Sequence, residues 1–149
     1  MAKGKGTKAV HAGVKPCDAT GAIMTPIYQT STYVQEGVGN HKGYEYSRTL
    51  NPTRHTLENA LAELEDAKHG LAFGSGLAAM DNLIKILKPG DEVISTDDLY
   101  GGSYRLFTTV FKNYGVKFHF IDLSDMEALK SAVNENTRMV WIETPTNPM

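Results

Sequence analysis

The spacing of apolar residues divides the chain into two segments. The first has no long stretch of regular spacing, and in the second helical and strand-like patterns alternate. Residues 1–50 are rich in Gly, Thr, Pro and Tyr, and no helical or strand-like period runs through them. After them apolar residues recur at helical spacing, first at Leu57 and Leu61. We therefore expect an extended N-terminal arm over residues 1–50, with a flexible basic start at residues 1–6, and an α/β domain over residues 51–149.

Predicted strands and helices take turns in this second segment. Short apolar or alternating runs predict strands at Gly70–Phe73, Glu92–Ser95, Lys117–Ile121 and Met139–Ile142. Cap residues and helical spacing predict helices after Asn51, after Ser75, around Tyr104–Phe111 and after the capping box Ser124–Glu127. Alternation of this kind predicts a mostly parallel sheet with helices on both faces.

The run Tyr46-Ser47-Arg48 carries side chains that suit an anion site. A phenol and a guanidinium two residues apart converge on one anion if the segment is extended, and the planar guanidinium fork suits a phosphate. Asn51 and Pro52 then predict a helix start, as N-cap and first helical residue. A surface loop with a solvated Arg48 is the alternative that the spacing leaves open.

A second candidate anion site lies at Gly74-Ser75-Gly76, between the strand expected at residues 70–73 and a helix. Glycines let backbone N–H groups approach an anion, and a helix N-terminus supplies unpaired donors and partial positive charge. A tight turn in which Ser75 only caps the helix is the alternative. The motif is not a dinucleotide fingerprint, because Ala79 stands where G-x-G-x-x-G requires its last glycine.

Three loops that follow predicted strands are expected to meet at one edge of the sheet. They contain Gly74, Asp97–Tyr100 and Glu143–Asn147. Parallel sheets bind ligands beyond the carboxyl ends of their strands, so we expect one site built from these separated loops.

Four motifs in a fixed order give the chain a family resemblance. They are Tyr46–Arg48 with Asn51–Thr53, then Gly74–Ala79, Asp98–Gly102 and Glu143–Pro148. With them the chain resembles the N-terminal part of the pyridoxal-phosphate (PLP) enzymes of cysteine and methionine metabolism, of the cystathionine γ-lyase and γ-synthase type. The resemblance implies pyridoxal 5′-phosphate as cofactor. It also implies a fold-type-I, aminotransferase-like α/β large domain, incomplete here and preceded by the arm.

The resemblance implies phosphate-binding roles for two pairs of residues. The backbone N–H groups of Gly76 and Leu77 would hold the phosphate, as the physics of helix ends also suggests. Tyr46 and Arg48 match residues that reach the phosphate of the neighbouring subunit. The arm would then be an assembly element, in a homotetramer built as a dimer of dimers.

The resemblance also implies that Tyr100 and Asn147 contact the cofactor ring. Tyr100 would stack on the pyridine ring and, through its phenol, take part in proton transfer as a catalytic residue. Asn147 would donate a hydrogen bond to the ring hydroxyl. The residues by themselves leave a half-buried packing role open for Tyr100, and for Asn147 the spacing alone favours a turn role before Pro148.

The activity implied is that of a carbon–sulfur lyase or transferase acting on a small sulfur amino acid. Thr144–Pro148 and Leu71–Phe73 favour cystathionine γ-lyase, which cleaves cystathionine to cysteine, 2-oxobutanoate and ammonia. Cystathionine γ-synthase and β-lyase stay as alternatives, and methionine γ-lyase is disfavoured because Gly102 stands where those enzymes tend to carry cysteine. A non-catalytic module that keeps only phosphate binding and dimerisation is an alternative of another class.

Composition argues against several other classes. A net charge of −2 without a basic stripe gives no support for a nucleic-acid partner, and no apolar run is long enough to cross a membrane. The single Cys17 suits a reducing, cytoplasmic location, and the five histidines show no metal-ligand spacing. The lysine that anchors the cofactor and the aspartate that pairs with its pyridine nitrogen are expected beyond residue 149. We therefore expect the chain to be an N-terminal piece.

Overall fold

The computed structural model describes residues 4–147, which form two compact units that divide between Ala72 and Phe73. The first unit contains the arm together with the first long helix, and the second contains the sheet. The assignment of residues 1–50 as a separate arm stays a prediction.

Two helices organise the first unit, α1 (Lys5–His11) and α2 (Pro52–Leu64). Helix α1 begins inside the segment expected to be a flexible tail, so that expectation is wrong for its last two residues, whereas residues 1–3 lie outside the described part. The residues between the helices are loops and turns, with isolated bridges between Thr32 and Tyr46 and between Gly37 and Asn40.

The start of α2 confirms the predicted cap. The Asn51 side chain accepts hydrogen bonds from the N–H of Thr53 at 2.8 Å and of Arg54 at 3.4 Å, and Pro52 occupies the first helical position. Gly70 packs directly on this helix: a Cβ there would lie 2.2 Å from the carbonyl oxygen of Glu58. Glycine at position 70 therefore allows the chain to pack closely against α2.

The second unit is a three-stranded parallel sheet with helices before and between its strands. In chain order its elements are α3 (Gly76–Ile84), β1 (Glu92–Thr96), α4 (Gly101–Arg105), β2 (Lys117–Ile121), α5 (Met126–Ala132) and β3 (Thr137–Trp141). Helix α4 continues as a π turn over Leu106–Val110 and a 3-10 turn over Phe111–Tyr114. The strand order is β2-β1-β3, and β1 pairs in parallel with both neighbours. The predicted α/β class with a parallel sheet is confirmed.

Strand β1 and the helix that follows it form the core of this unit. Val93 and Ile94 are fully buried at the centre of the sheet. Phe107 stacks on Phe118 of β2 with ring centroids 4.6 Å apart, and it meets the edge of Trp141 of β3 at 5.6 Å. Aromatic contacts of this kind add to the burial of apolar area, so this segment is fixed against β2 and β3.

Two predicted elements are wrong in detail. Gly70–Phe73 is not a strand in the described chain, and Leu71 is 74% exposed. A strand needs a hydrogen-bonded neighbour, and the three-stranded sheet described here does not extend to this run. Helix α5 is capped by Asp125, which accepts from the N–H of Glu127 and Ala128, while Ser124 bonds to the side chain of Asp122. A carboxylate one residue closer to the helix displaces the predicted serine cap.

The amino end of the sheet is held by a buried carboxylate. Glu92, only 6% exposed, accepts hydrogen bonds from Asn134 at 2.9 Å and Lys117 at 3.2 Å, and His119 Nε2 lies 2.8 Å from the same carboxylate. The hydrogen bonds from Asn134, His119 and Lys117 lower the pKa of Glu92 from 4.5 to about 2. This cluster lies at the end of the strands opposite to the candidate site.

Residues 4–147 show neither a membrane-spanning helix nor a metal-binding cluster. No helix there is long and apolar enough to cross a bilayer. No group of three or more His, Cys, Asp and Glu side chains is arranged to hold a metal ion.

Candidate functional site

The N-terminus of α3 presents unpaired backbone donors. Ser75 caps the helix, because its Oγ accepts from the N–H of Ala78 at 3.1 Å and its carbonyl accepts from Ala79 at 3.1 Å. The N–H groups of Gly76 and Leu77 have no acceptor among residues 4–147. The capping role and the anion-binding role are therefore compatible at this helix end.

Gly74 and Gly76 leave open space around these donors. Neither glycine has a positive φ, and a Cβ at either position would meet nothing within 4 Å. Gly13 differs: its φ is +69°, and a Cβ there would lie 2.5 Å from the carbonyl oxygen of Thr56. Because neither backbone strain nor protein packing requires glycine at 74 and 76, these positions keep the helix end accessible to a ligand.

The loops after β1 and β3 are joined by hydrogen bonds. The backbone N–H of Tyr100 donates to Glu143 Oε2 at 3.0 Å, and the hydroxyl of Thr146 donates to Asp98 Oδ2. The predicted convergence of these two loops at the carboxyl ends of the strands is thus observed. Asn147 follows Thr146 and is exposed, whereas Pro148, the last residue of the motif, lies outside the described residues.

Glu143 makes one of these two bonds and a further bond within its own segment. Its second oxygen, Oε1, accepts from the indole N–H of Trp141 at 3.0 Å. Burial raises the pKa of the Glu143 carboxyl, but hydrogen bonds from Ser103, the Tyr100 N–H and Trp141 outweigh it, so the pKa lies below its ordinary value. The Ser103 hydroxyl also lies 3.3 Å from Met80 Sδ, a much weaker acceptor than a carboxylate.

Sequence reasoning had placed Glu143 near the site without a role. The one available signal was its spacing from Trp141, because residues two apart share a face in extended backbone. Its bond to the Tyr100 N–H joins distant segments and leaves no local pattern.

The ring of Tyr100 rests against the backbone of Gly102. A Cβ at Gly102 would lie 2.3 Å from Tyr100 Cε1, so any side chain there would displace the ring. The Tyr100 carbonyl accepts from the Tyr104 N–H at 3.1 Å, which begins α4. The residue is still 44% exposed, so its aromatic surface is available to a ligand.

Tyr46 and Arg48, in the first unit, form a stacked pair on a turn. The segment is not extended here, because the N–H groups of Thr49 and Leu50 both donate to the Tyr46 carbonyl, at 3.1 and 3.0 Å. The turn nevertheless brings the two side chains together. The guanidinium carbon of Arg48 lies 4.9 Å from the centroid of the Tyr46 ring, and Arg48 is exposed.

Arg54 holds that turn in place, a role that sequence reasoning missed. Its guanidinium donates to the carbonyl of Thr49 at 2.7 Å and to that of Ser47 at 3.3 Å, while its Nε lies 3.6 Å from the carboxylate of Glu58. Arg54 is therefore committed to hydrogen bonds within the turn, whereas Arg48 is exposed and its guanidinium contacts the Tyr46 ring.

Comparison with known proteins decides the family. The family model described as Cys/Met metabolism PLP-dependent enzyme matches residues 6–149. The chain belongs to this family. Its members are PLP-dependent enzymes, so PLP is the cofactor that the site must fit.

Three relatives of this PLP family illustrate the match. A protein of Herpetosiphon aurantiacus named probable cystathionine gamma-synthase is 57% identical over 149 residues, which are 100% of this chain and 47% of that protein. A cystathionine beta-lyase of Coxiella burnetii is 51% identical over 95% of this chain and 37% of its own length. The crystal structure of MetB from Corynebacterium glutamicum superposes with a TM-score of 0.94 at 49% identity, over 98% of this chain and 38% of its own.

The names of the relatives span several reactions. Others at 46–49% identity are named cystathionine gamma-lyase or gamma-synthase. The chain spans less than half the length of the curated relatives it matches.

The residues present fit the phosphate of PLP. A phosphate needs hydrogen-bond donors in an open, electropositive setting, and the start of α3 offers two unpaired N–H groups at the positive end of a nine-residue helix. An exposed aromatic face, that of Tyr100, lies in the same unit.

Proposed function

We propose that this chain supplies the phosphate- and ring-binding part of a PLP enzyme that breaks or makes the carbon–sulfur bond of cystathionine. The observation that carries the proposal is the pair of unpaired N–H groups at Gly76 and Leu77, in a chain that belongs to the PLP family. These two donors bind the phosphate oxygens, and the helix end stabilises their negative charge.

Tyr100 and Asn147 orient the cofactor ring. The exposed ring of Tyr100 stacks on the pyridine face, and the Asn147 amide donates a hydrogen bond to the ring hydroxyl. Together the two side chains would hold the pyridine ring in one orientation. The Tyr100 phenol then lies beside the reacting atoms, where it takes up or returns a proton at its oxygen as a catalytic residue.

The Tyr46–Arg48 pair binds the phosphate of a second copy of the chain. Stacking on Tyr46 holds the guanidinium of Arg48 and leaves its N–H edge open for a charge-assisted contact. The active site is then shared between two subunits. We also propose, from family membership, that the protein is a cytoplasmic homotetramer built as a dimer of dimers.

PLP supplies, when bound, an electron sink that stabilises negative charge beside the amino group of the substrate. Within that chemistry the reaction we propose is γ-elimination, in which cystathionine and water give cysteine, 2-oxobutanoate and ammonia. Gly102 supports this choice over methionine γ-lyase, because the position carries no cysteine side chain. Cystathionine γ-synthase is the second candidate, since the Herpetosiphon relative that is 57% identical has that name.

A product assay separates these reactions. The protein that carries this chain is incubated with PLP and cystathionine, and 2-oxobutanoate and pyruvate are quantified. In a second arm, cysteine and an activated homoserine ester are supplied, and cystathionine is quantified. Release of 2-oxobutanoate from cystathionine supports γ-elimination, pyruvate indicates β-elimination, and net cystathionine formation indicates the synthase. PLP binding without turnover in either arm would favour the non-catalytic phosphate-binding and dimerisation module.

A further inference from the structure

The backbone of Tyr100 is anchored by a side chain from a different strand. Its N–H donates to Glu143 Oε2 at 3.0 Å, and the other oxygen of the same carboxylate accepts from Trp141 at 3.0 Å. Glu143 follows β3, whereas Tyr100 lies in the loop that follows β1. One carboxylate thus fixes the start of the Tyr100 loop to the sheet.

We propose that Glu143 is a positioning residue that sets the place of the Tyr100 ring against the cofactor. The inference rests on the proposed function, because it assigns a role to the residue that orients Tyr100 there. Glu143 acts through the backbone of Tyr100 and does not itself touch the cofactor.

Only a carboxylate satisfies all the donors that face this position. The Tyr100 N–H and the Trp141 indole N–H cannot accept hydrogen bonds, so each needs an oxygen opposite it. Glutamine has one oxygen and one NH₂ group, so it must set a donor against one of these two donors. The lowered pKa of Glu143 agrees with this arrangement, because it keeps both oxygens free of protons.

The contact between the Tyr100 ring and Gly102 makes the position of the ring depend on the hydrogen bond to Glu143. The Tyr100 ring already lies against Gly102, where a Cβ would approach Cε1 to 2.3 Å. If the Tyr100 backbone moves, the ring must leave this contact, because its place is defined by the anchor and by Gly102 together. A loss of the anchor should therefore appear as misplaced stacking on the cofactor.

A double-mutant cycle tests the role. The variants Glu143→Gln, Trp141→Phe and the double variant are made in the protein that carries this chain, with Glu135→Gln as a control at an exposed glutamate. PLP affinity is measured by titration, the visible circular dichroism band of bound PLP reports the ring environment, and urea unfolding without PLP reports stability.

We expect Glu143→Gln to weaken PLP binding by about tenfold and to reduce the dichroism band, because one hydrogen bond to a half-buried carboxylate is lost. Trp141→Phe alone and Glu135→Gln should bind PLP like the wild type. The double variant should recover the affinity of Trp141→Phe, since phenylalanine removes the competing donor and the glutamine oxygen can then face the Tyr100 N–H.

Four outcomes distinguish the inference from the proposed function. Wild-type affinity and dichroism in Glu143→Gln would overturn the inference while leaving the proposed function intact. A double variant as weak as Glu143→Gln would overturn it too, because the loss would not arise from the donor mismatch. If Glu143→Gln fails to fold, the double variant compared with Trp141→Phe decides alone, with equal affinity expected. A wild-type protein that does not bind PLP would refute the proposed function itself.

Discussion

Replacing Gly76 by proline would separate phosphate binding from helix stability at the start of α3. Gly76 is the first helical residue, and Ser75 before it has φ −162° and ψ 162°, the extended conformation that a residue before proline prefers. A Cβ at Gly76 meets nothing within 4 Å. The N–H that proline lacks has no acceptor among residues 4–147, so the helix loses no hydrogen bond.

The two effects of this substitution have opposite signs. Proline restricts the unfolded chain more than glycine does, which should stabilise the cofactor-free protein by about 0.4–1 kcal/mol. If the Gly76 N–H binds the phosphate of PLP, its loss removes a hydrogen bond to a charged group. That costs about 1.5–3 kcal/mol, or about ten- to a hundredfold in PLP affinity.

The assay compares wild type, Gly76→Pro and Gly76→Ala in the protein that carries this chain. The alanine variant adds a methyl group but keeps the N–H, so the difference between the two variants isolates the donor. PLP affinity is measured by titration of the cofactor-free protein, and stability by urea unfolding without PLP. Equal PLP affinity in the proline and alanine variants would refute the assignment of the Gly76 N–H to the phosphate.

Three further predictions concern residues outside this helix. Tyr100→Phe should retain PLP and slow turnover, whereas Tyr100→Ala should also loosen PLP; steady-state kinetics identical to wild type in the phenylalanine variant would remove the role of the phenol. Arg48→Ala should weaken PLP binding about tenfold without a change in thermal stability, whereas Arg54→Ala should also lower the melting temperature, because Arg54 holds the turn beneath Arg48. The hydrogen bond from Asn134 and its neighbours lowers the pKa of Glu92 to about 2 in the folded state. The ionised Glu92 therefore contributes its full stabilisation to the folded state above about pH 4.5, and this stabilisation is lost as the pH falls towards 2. Glu92→Gln should flatten the pH dependence of the free energy of urea unfolding between these pH values.

Elements defined by local chemistry were predictable from the sequence. Asn51 and Ser75 cap helices because a short polar side chain reaches the next backbone N–H groups whatever the rest of the fold does. The alternating run Lys117–Ile121 forms a strand with the predicted bounds, because the period of two matches a sheet with one face on the core.

Features that depend on distant partners were not predictable in the same way. Gly70–Phe73 has the apolar character of a buried strand, but strand formation requires a neighbour that the run itself does not encode. The turn at Tyr46 is stabilised by Arg54, a residue in the next helix, so the spacing of Tyr46 and Arg48 alone could not show that a turn brings them together. The role of Glu143 likewise arises only when the loops after two strands meet.

The similar identity of this chain to relatives with different named reactions has a physical explanation. Proteins named γ-synthase, β-lyase and γ-lyase match this chain at similar identities, 57% and 48% for the first, 51% and 46% for the second, and 47% and 49% for the third. The features found here are helix-end donors, an exposed aromatic ring and two joined loops, and each suits a phosphate or a flat ring more than a particular sulfur amino acid. PLP is the cofactor of the whole family, so a part of the chain that suits PLP is expected to resemble members with different reactions to a similar degree.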